Sequence, residues 1–183
     1  LRKGEMLALQ WSDIDFENST VSVTKAAAVV DGKQVCKAPK TKNSRREVSI
    51  PRFLTDRLHS MMVAQTKTKE SLGAYWKGNN WLFTQSDGSM MSYSTPYATF
   101  QDAIDRYNAN KEPSDQLPHI PFHGLRHTSA TLLIAAHQDV RTVSNRLGHA
   151  QASTTMNIYA HALKENDRTA SNALENMLCK TGA

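Results

Sequence analysis

Four residues in the last third of the chain have the types needed to attack a phosphodiester. His123 and Arg126 stand in the run His-Gly-Leu-Arg-His, His149 closes Leu-Gly-His, and Tyr159 follows shortly after. A tyrosine hydroxyl can attack phosphorus and a histidine can accept its proton. An arginine and a second histidine can balance the charge that builds on the non-bridging oxygens. Two more cations, Arg2 and Lys40, lie far upstream. A set of this kind can do the electrostatic work of a divalent metal.

Each residue also has an ordinary structural explanation. His123 and Arg126 are three apart, hence neighbours on one helix face. On the same wheel Leu125, Ser129, Leu132, Leu133 and Ala136 cluster together, and the expectation is that they form the buried face with Arg126 on its shoulder. A part-desolvated guanidinium there suits a bidentate phosphate, but a surface helix with a structural salt bridge fits the spacing equally. His119, His123 and His127 repeat at four-residue intervals, as zinc-binding helices do. Pro118 and Pro121 place His119 before the helix, so no metal site is expected. Gly148 reads as the left-handed stop of a helix, which projects His149 from a loop, where a solvated capping histidine would also sit. Tyr159, with Met156 and Leu163 at i−3 and i+4, equally resembles a core tyrosine. Lys40 and Lys42 could be no more than a soluble turn, and Arg2 by itself carries no signal.

The elements that must position these residues follow from periodicity. Gly4 to Trp11 reads as a short helix stopped near Ser12-Asp13. Thr20 to Thr24 alternates with β-branched residues, which is strand chemistry. Asp31-Gly32 is a hairpin turn, a strand follows over 34–37, and Arg46 to Ile50 alternates again after the polar turn 40–45. These strands predict a small three-stranded antiparallel sheet. A helix is expected over 53–71, with Leu54, Leu58, Met61 and Met62 on one side. Another runs from a Ser94 cap to Asn108 with Pro96 in its first turn. Residues 110–121 read as a loop, and helices are expected over 123–136, 139–147, 151–160 and 164–178. The fold class is therefore α+β: a single, mostly helical domain over 1–183 with no internal repeat or linker.

At 183 residues, 39% hydrophobic and 21% charged, the chain can bury a real core. No apolar run approaches the roughly 18 residues a membrane span requires. The net charge of +5 is compatible with a polyanionic partner without identifying one. Cys36 and Cys179 form no disulfide or metal pattern, and a reducing cytoplasm is the simplest expectation. Leu1 is not an initiator, so the chain is expected to be a piece of something longer.

Four segments, Leu1–Asp15, Pro39–Pro51, His123–Leu133 and Leu147–His161, resemble, in order, the catalytic domain of the tyrosine recombinases. The resemblance is closest to the integrases of phages and conjugative transposons. It implies the family's catalytic fold, without the core-binding or arm-binding domains. It implies Arg2 and Arg126 as the two catalytic arginines, Glu5 as the acidic residue supporting the first, and Lys40 as the lysine of the sheet turn, with Lys42 as a substitute. It also implies His123 and His149 as the catalytic histidines and Tyr159 as the nucleophile. Gly124 departs from the acidic residue many relatives carry. No cofactor is implied. The expected partner is double-stranded DNA, with Lys37, Lys42, Arg45, Arg46, Arg141 and Arg146 as candidate contacts. A DNA-bound tetramer is expected of the full-length protein, and a monomer or weak dimer of this piece. An excisionase or host DNA-bending protein could assist, and the bacterial cytoplasm, at the nucleoid, is the implied location. A topoisomerase of type IB, an inactive DNA-binding regulator and a metal-dependent nuclease are the competing readings.

Overall fold

The computed structural model describes residues 1–38 and 45–148, together with Glu175, which is helical and exposed. Lys40, Lys42, His149 and Tyr159, and the helices expected over 151–160 and 164–178, lie outside the described residues. The chain gathers into two compact units, Leu1–Arg126 and His127–Ala183. The division falls inside a helix. That is why no linker composition marks it in the sequence.

In the first unit, α1 (Lys3–Leu7) is followed by a 3-10 turn at Trp11–Asp13 and the short strand β1 (Ile14–Asp15). Strand β2 (Thr20–Val23) pairs antiparallel with β1 on one side and with β5 (Arg46–Ser49) on the other. A three-stranded antiparallel sheet is therefore present, with a membership different from the expected one. The strand expected over 34–37 is β4 (Lys33–Lys37), and it pairs with β3 (Ala26–Val30) in a separate two-stranded sheet. The Asp31-Gly32 turn explains the difference. Both residues take positive φ, 48° and 72°, which matches the right-handed twist of a tight hairpin and ties β4 to its immediate neighbour in sequence.

Helix α2 (Arg52–Leu72) ends at Gly73, whose φ is 52°. Its inward face differs from the expected one: Thr55 is buried, Leu58 and Met61 pack on the core, and Leu54 is exposed. That core joins Leu9, Ile14, Val21 and Leu82. The Trp81-Leu82-Phe83 segment is thus a structural layer, held by the Leu82 N–H donating to the Leu9 carbonyl at 2.8 Å. Helix α3 (Thr95–Asn108) carries Pro96 in its first turn. The Ser94 side chain does not cap it, and its hydroxyl lies 3.2 Å from that of Ser92. The following loop contains a 3-10 turn at Pro113–Asp115 and is zipped back onto α3, with Asn108 bonded twice to the Leu117 backbone.

Helix α4 (Gly124–Ala135) continues into the second unit, where α5 (Val140–Leu147) follows. Ala130 and Ile134 of α4 pack with Val143 and Leu147. The Asp139 side chain caps α5 by accepting the Thr142 N–H at 2.9 Å, and Gly148 ends it at φ 68°, as its sequence position predicts. Among the described residues no helix is long and apolar enough to cross a membrane.

Candidate active site

Two places in the fold hold the described members of the predicted set. The first is the N-terminus of α1. Arg2 occupies the cap position, and Glu5, one turn on, reaches back so that its Oε2 accepts the Arg2 backbone N–H at 2.8 Å. This is the acidic half of a capping box. Glu5 Oε1 also accepts from Arg2 Nη1 at 2.8 Å. Arg46, the first residue of β5, closes on the same carboxylate with both arms of its fork: Nη2 to Oε2 at 2.8 Å and Nη1 to Oε1 at 3.1 Å. Each Glu5 oxygen thus accepts two bonds. Burial alone would raise the Glu5 pKa, but the Arg46 and Arg2 hydrogen bonds outweigh it and hold the carboxyl at about 2.

Exposure grades across this group. The Glu5 and Arg46 side chains are 6% and 8% exposed, whereas that of Arg2 is 41% exposed. Neighbouring contacts pin the helix that carries Arg2. Lys3 Nζ lies 4.0 Å from the centroid of the Tyr93 ring. Gly4 is pressed so close to β3 that a Cβ there would collide with the Ala27 carbonyl oxygen. Only glycine allows that approach.

The second place is the start of α4. His123 is exposed in the turn just before the helix, and its carbonyl accepts the Arg126 N–H at 3.1 Å. Arg126 is buried, 6% exposed. The inward face of α4 differs from the expected one. Ala130 and Ile134 are inside, spaced four apart in phase with Arg126, and Leu133 packs against them as expected, while Leu125 and Ser129 are exposed and Leu132 is 64% exposed. The arginine therefore stands in line with the buried stripe and not on its shoulder. The helical wheel grouped Leu125, Ser129 and Leu132 on the inward face, and their phase is wrong by about half a turn. His119 precedes α4, with Nε2 3.1 Å from Asp105 and Nδ1 against Gln101 Oε1.

Among the candidate DNA contacts, Lys37, Arg45 and Arg141 are exposed and Arg146 is half-buried. Arg46 differs from these, because its guanidinium is engaged inside the protein on Glu5. Its cross-strand partner is Val23, which is fully buried. The signal was present in the sequence. Arg46 is in phase with Val48 and Ile50, so strand alternation directs all three to one face. Gly4 was also missed, and no local pattern announces a close approach.

The sequence signature of the phage integrase family matches residues 1–166. The chain belongs to that family. It is 34% identical to the ICEBs1 integrase of Bacillus subtilis over 97% of this chain and 46% of that protein. It is 32% identical to a XerC-like tyrosine recombinase of Caldanaerobacter subterraneus, over 97% of this chain and 46% of that protein. The chain spans about half the length of these relatives. Among solved structures, the fold matches the Tn1549 transposon integrase in complex with transposon right end DNA. The TM-score is 0.78 and the identity 24%, over 96% of this chain and 55% of that one. It also matches the XerA recombinase at a TM-score of 0.66 and 24% identity, over 92% of this chain and 53% of that one. Mixed helices and small antiparallel sheets are thus the tyrosine recombinase catalytic fold.

Proposed function

We propose that this chain is the catalytic domain of a site-specific DNA recombinase that integrates or excises a mobile element. The observation that carries this reading is the extent of the family match: residues 1–166 include Arg2, Lys40, His123, Arg126, His149 and Tyr159. The paired arginine at α1 adds to it. A guanidinium anchored on a buried carboxylate and 41% exposed is suited to an anion from outside.

In the proposed reaction the Tyr159 oxygen bonds to the scissile phosphorus and the bond to the 5′ oxygen breaks. A phenol of ordinary pKa near 10 is only about 0.1% ionised at pH 7, at a cost of roughly 4 kcal/mol. His123 accepts or orients its proton. The departing alkoxide is far more basic than a phenolate and needs a proton of its own, for which Lys40 is the donor. Arg2 and Arg126 clamp the non-bridging oxygens and His149 adds a hydrogen bond, each such donor contributing roughly 2.7–4 kcal/mol to the transition state. The product is a 3′-phosphotyrosyl strand and a free 5′-OH. Attack by another strand's 5′-OH reverses the step and rejoins the DNA. No metal takes part in this scheme. The acting species is a tetramer on double-stranded DNA.

A nicked DNA substrate that releases its 5′ fragment tests the proposal. The full-length protein is expected to form a covalent adduct that survives EDTA and is lost in Tyr159→Phe. An adduct persisting in that variant would remove Tyr159 as the nucleophile, and cleavage that leaves no adduct and is abolished by EDTA would favour a metal-dependent nuclease.

A further inference from the structure

We propose that Arg46 is a positioning residue for strand cleavage: by gripping Glu5 from inside, it fixes the direction in which Arg2 presents its guanidinium to the scissile phosphate. The proposal rests on the recombinase reading above.

Geometry is the first argument. Without Arg46 the Glu5 carboxylate keeps one bond to each oxygen, both from Arg2 itself, so it is tied only to the residue it must direct. The two-armed contact from Arg46, at 2.8 and 3.1 Å, fixes its plane. With that plane fixed, the remaining lone-pair directions are also fixed. Those directions receive the Arg2 backbone N–H and Arg2 Nη1, both at 2.8 Å. Arg46 itself begins β5, whose ladder to β2 pairs it with buried Val23. Position thus passes from a paired strand to a buried carboxylate and then to a half-exposed arginine.

Charge is the second argument. Glu5 with Arg2 alone would form a neutral pair, and a neutral pair attracts phosphate poorly. The second arginine adds a positive charge beside that carboxylate, and Arg2 is the more exposed of the two arginines. Arg46 also compensates a carboxylate buried at 5% exposure, which would otherwise be costly to keep ionised. Sequence adds a third point. The strand that Arg46 begins leads directly out of the segment carrying Lys40. Arg46 stands six residues after Lys40, the proposed general acid, in the sequence.

The test measures single-turnover adduct formation by the full-length protein at saturating nicked DNA, alongside DNA affinity and thermal unfolding. Arg46→Met is expected to slow adduct formation about 30- to 100-fold while DNA affinity changes less than about threefold. Arg46→Lys, which keeps the charge and loses the fork, should recover part of the rate. Combining Arg46→Met with Glu5→Gln should be little worse than Glu5→Gln alone, because both act through one carboxylate. A methylphosphonate at the scissile position supplies the decisive readout. It lacks the charge that Arg2 balances, so the gap between Arg46→Met and the parent should shrink to a few-fold. The same gap on both substrates, or a loss confined to affinity, would overturn the proposal. If Arg46→Met does not fold, Arg46→Lys is put through the same two-substrate comparison. A parent protein that forms no Tyr159-dependent adduct would overturn the recombinase reading, and this proposal with it.

Discussion

Arg2 and Arg126 are two arginines of one predicted site, and they differ in exposure and in the element that presents them. At the start of α1 the guanidinium is 41% exposed and fixed by charge, through a carboxylate that a second arginine locks from below. At the start of α4 the arginine is 6% exposed and stands on the stripe that continues into Ala130 and Ile134. The first arrangement depends on ionisation and hydrogen-bond geometry. At the second, helix phase turns the side chain to the buried side of α4. At the cap of the five-residue helix α1, a short-range ion network gives the guanidinium its direction. One within a longer helix receives its direction from the helix.

The difference predicts separate responses. Arg126→Ala should produce the largest effect, an adduct rate lowered roughly 100- to 1,000-fold, with helical circular dichroism retained. Melting of that signal would instead make Arg126 a packing residue and erase the contrast. Glu5→Gln should produce an intermediate effect with a pH signature. The folded Glu5 pKa of about 2 lies below the ordinary 4.5. Its contribution to stability is therefore complete above about pH 4.5 and lost as pH falls toward 2. At about 1.4 kcal/mol per pH unit this is on the order of 3 kcal/mol. Thermal unfolding of Glu5→Gln should start lower at neutral pH and then decline less than the parent between about pH 4.5 and 2. Parallel curves would show that ionisation of Glu5 is not what holds the α1 corner. The smallest effect is expected at exposed Arg45. If it meets a phosphate, Arg45→Ala should reduce the slope of log affinity against log salt by about 1, from a parent value near −5 for about six contacts. An unchanged slope would assign Arg45 to solubility, leaving Arg46 and Arg45 as neighbours with no shared role.

Much of this was legible in the residues themselves. The 3.6-residue and two-residue periods located α2 through α5 and β2, β4 and β5 to within a few residues, because these patterns follow from where successive side chains point along a local backbone. Asp31-Gly32 identified its hairpin, and Gly148 the end of α5, because few residues tolerate positive φ. The order of the chemical residues, from Arg2 to Tyr159, likewise belongs to the sequence. It carried the family resemblance before any fold was known.

Tertiary structure decided the partnerships. The Asp31-Gly32 turn ties β4 to β3, but the pairing of β2 with β5, across the whole intervening hairpin, is set by the ladder that forms. Which side of α4 faces inward was settled by the packing of Ala130 and Ile134 on Val143 and Leu147, against the face that the helical wheel grouped around Leu125, Ser129 and Leu132. Gly4 owes its place to a β3 carbonyl that no local pattern announces. Arg46 combines both kinds of information. Its inward phase with Val48 and Ile50 is written in the sequence, but its partner, 41 residues away on another element, is not. Local periodicity fixes the direction of a side chain, whereas the charge it meets there depends on how distant segments fold together.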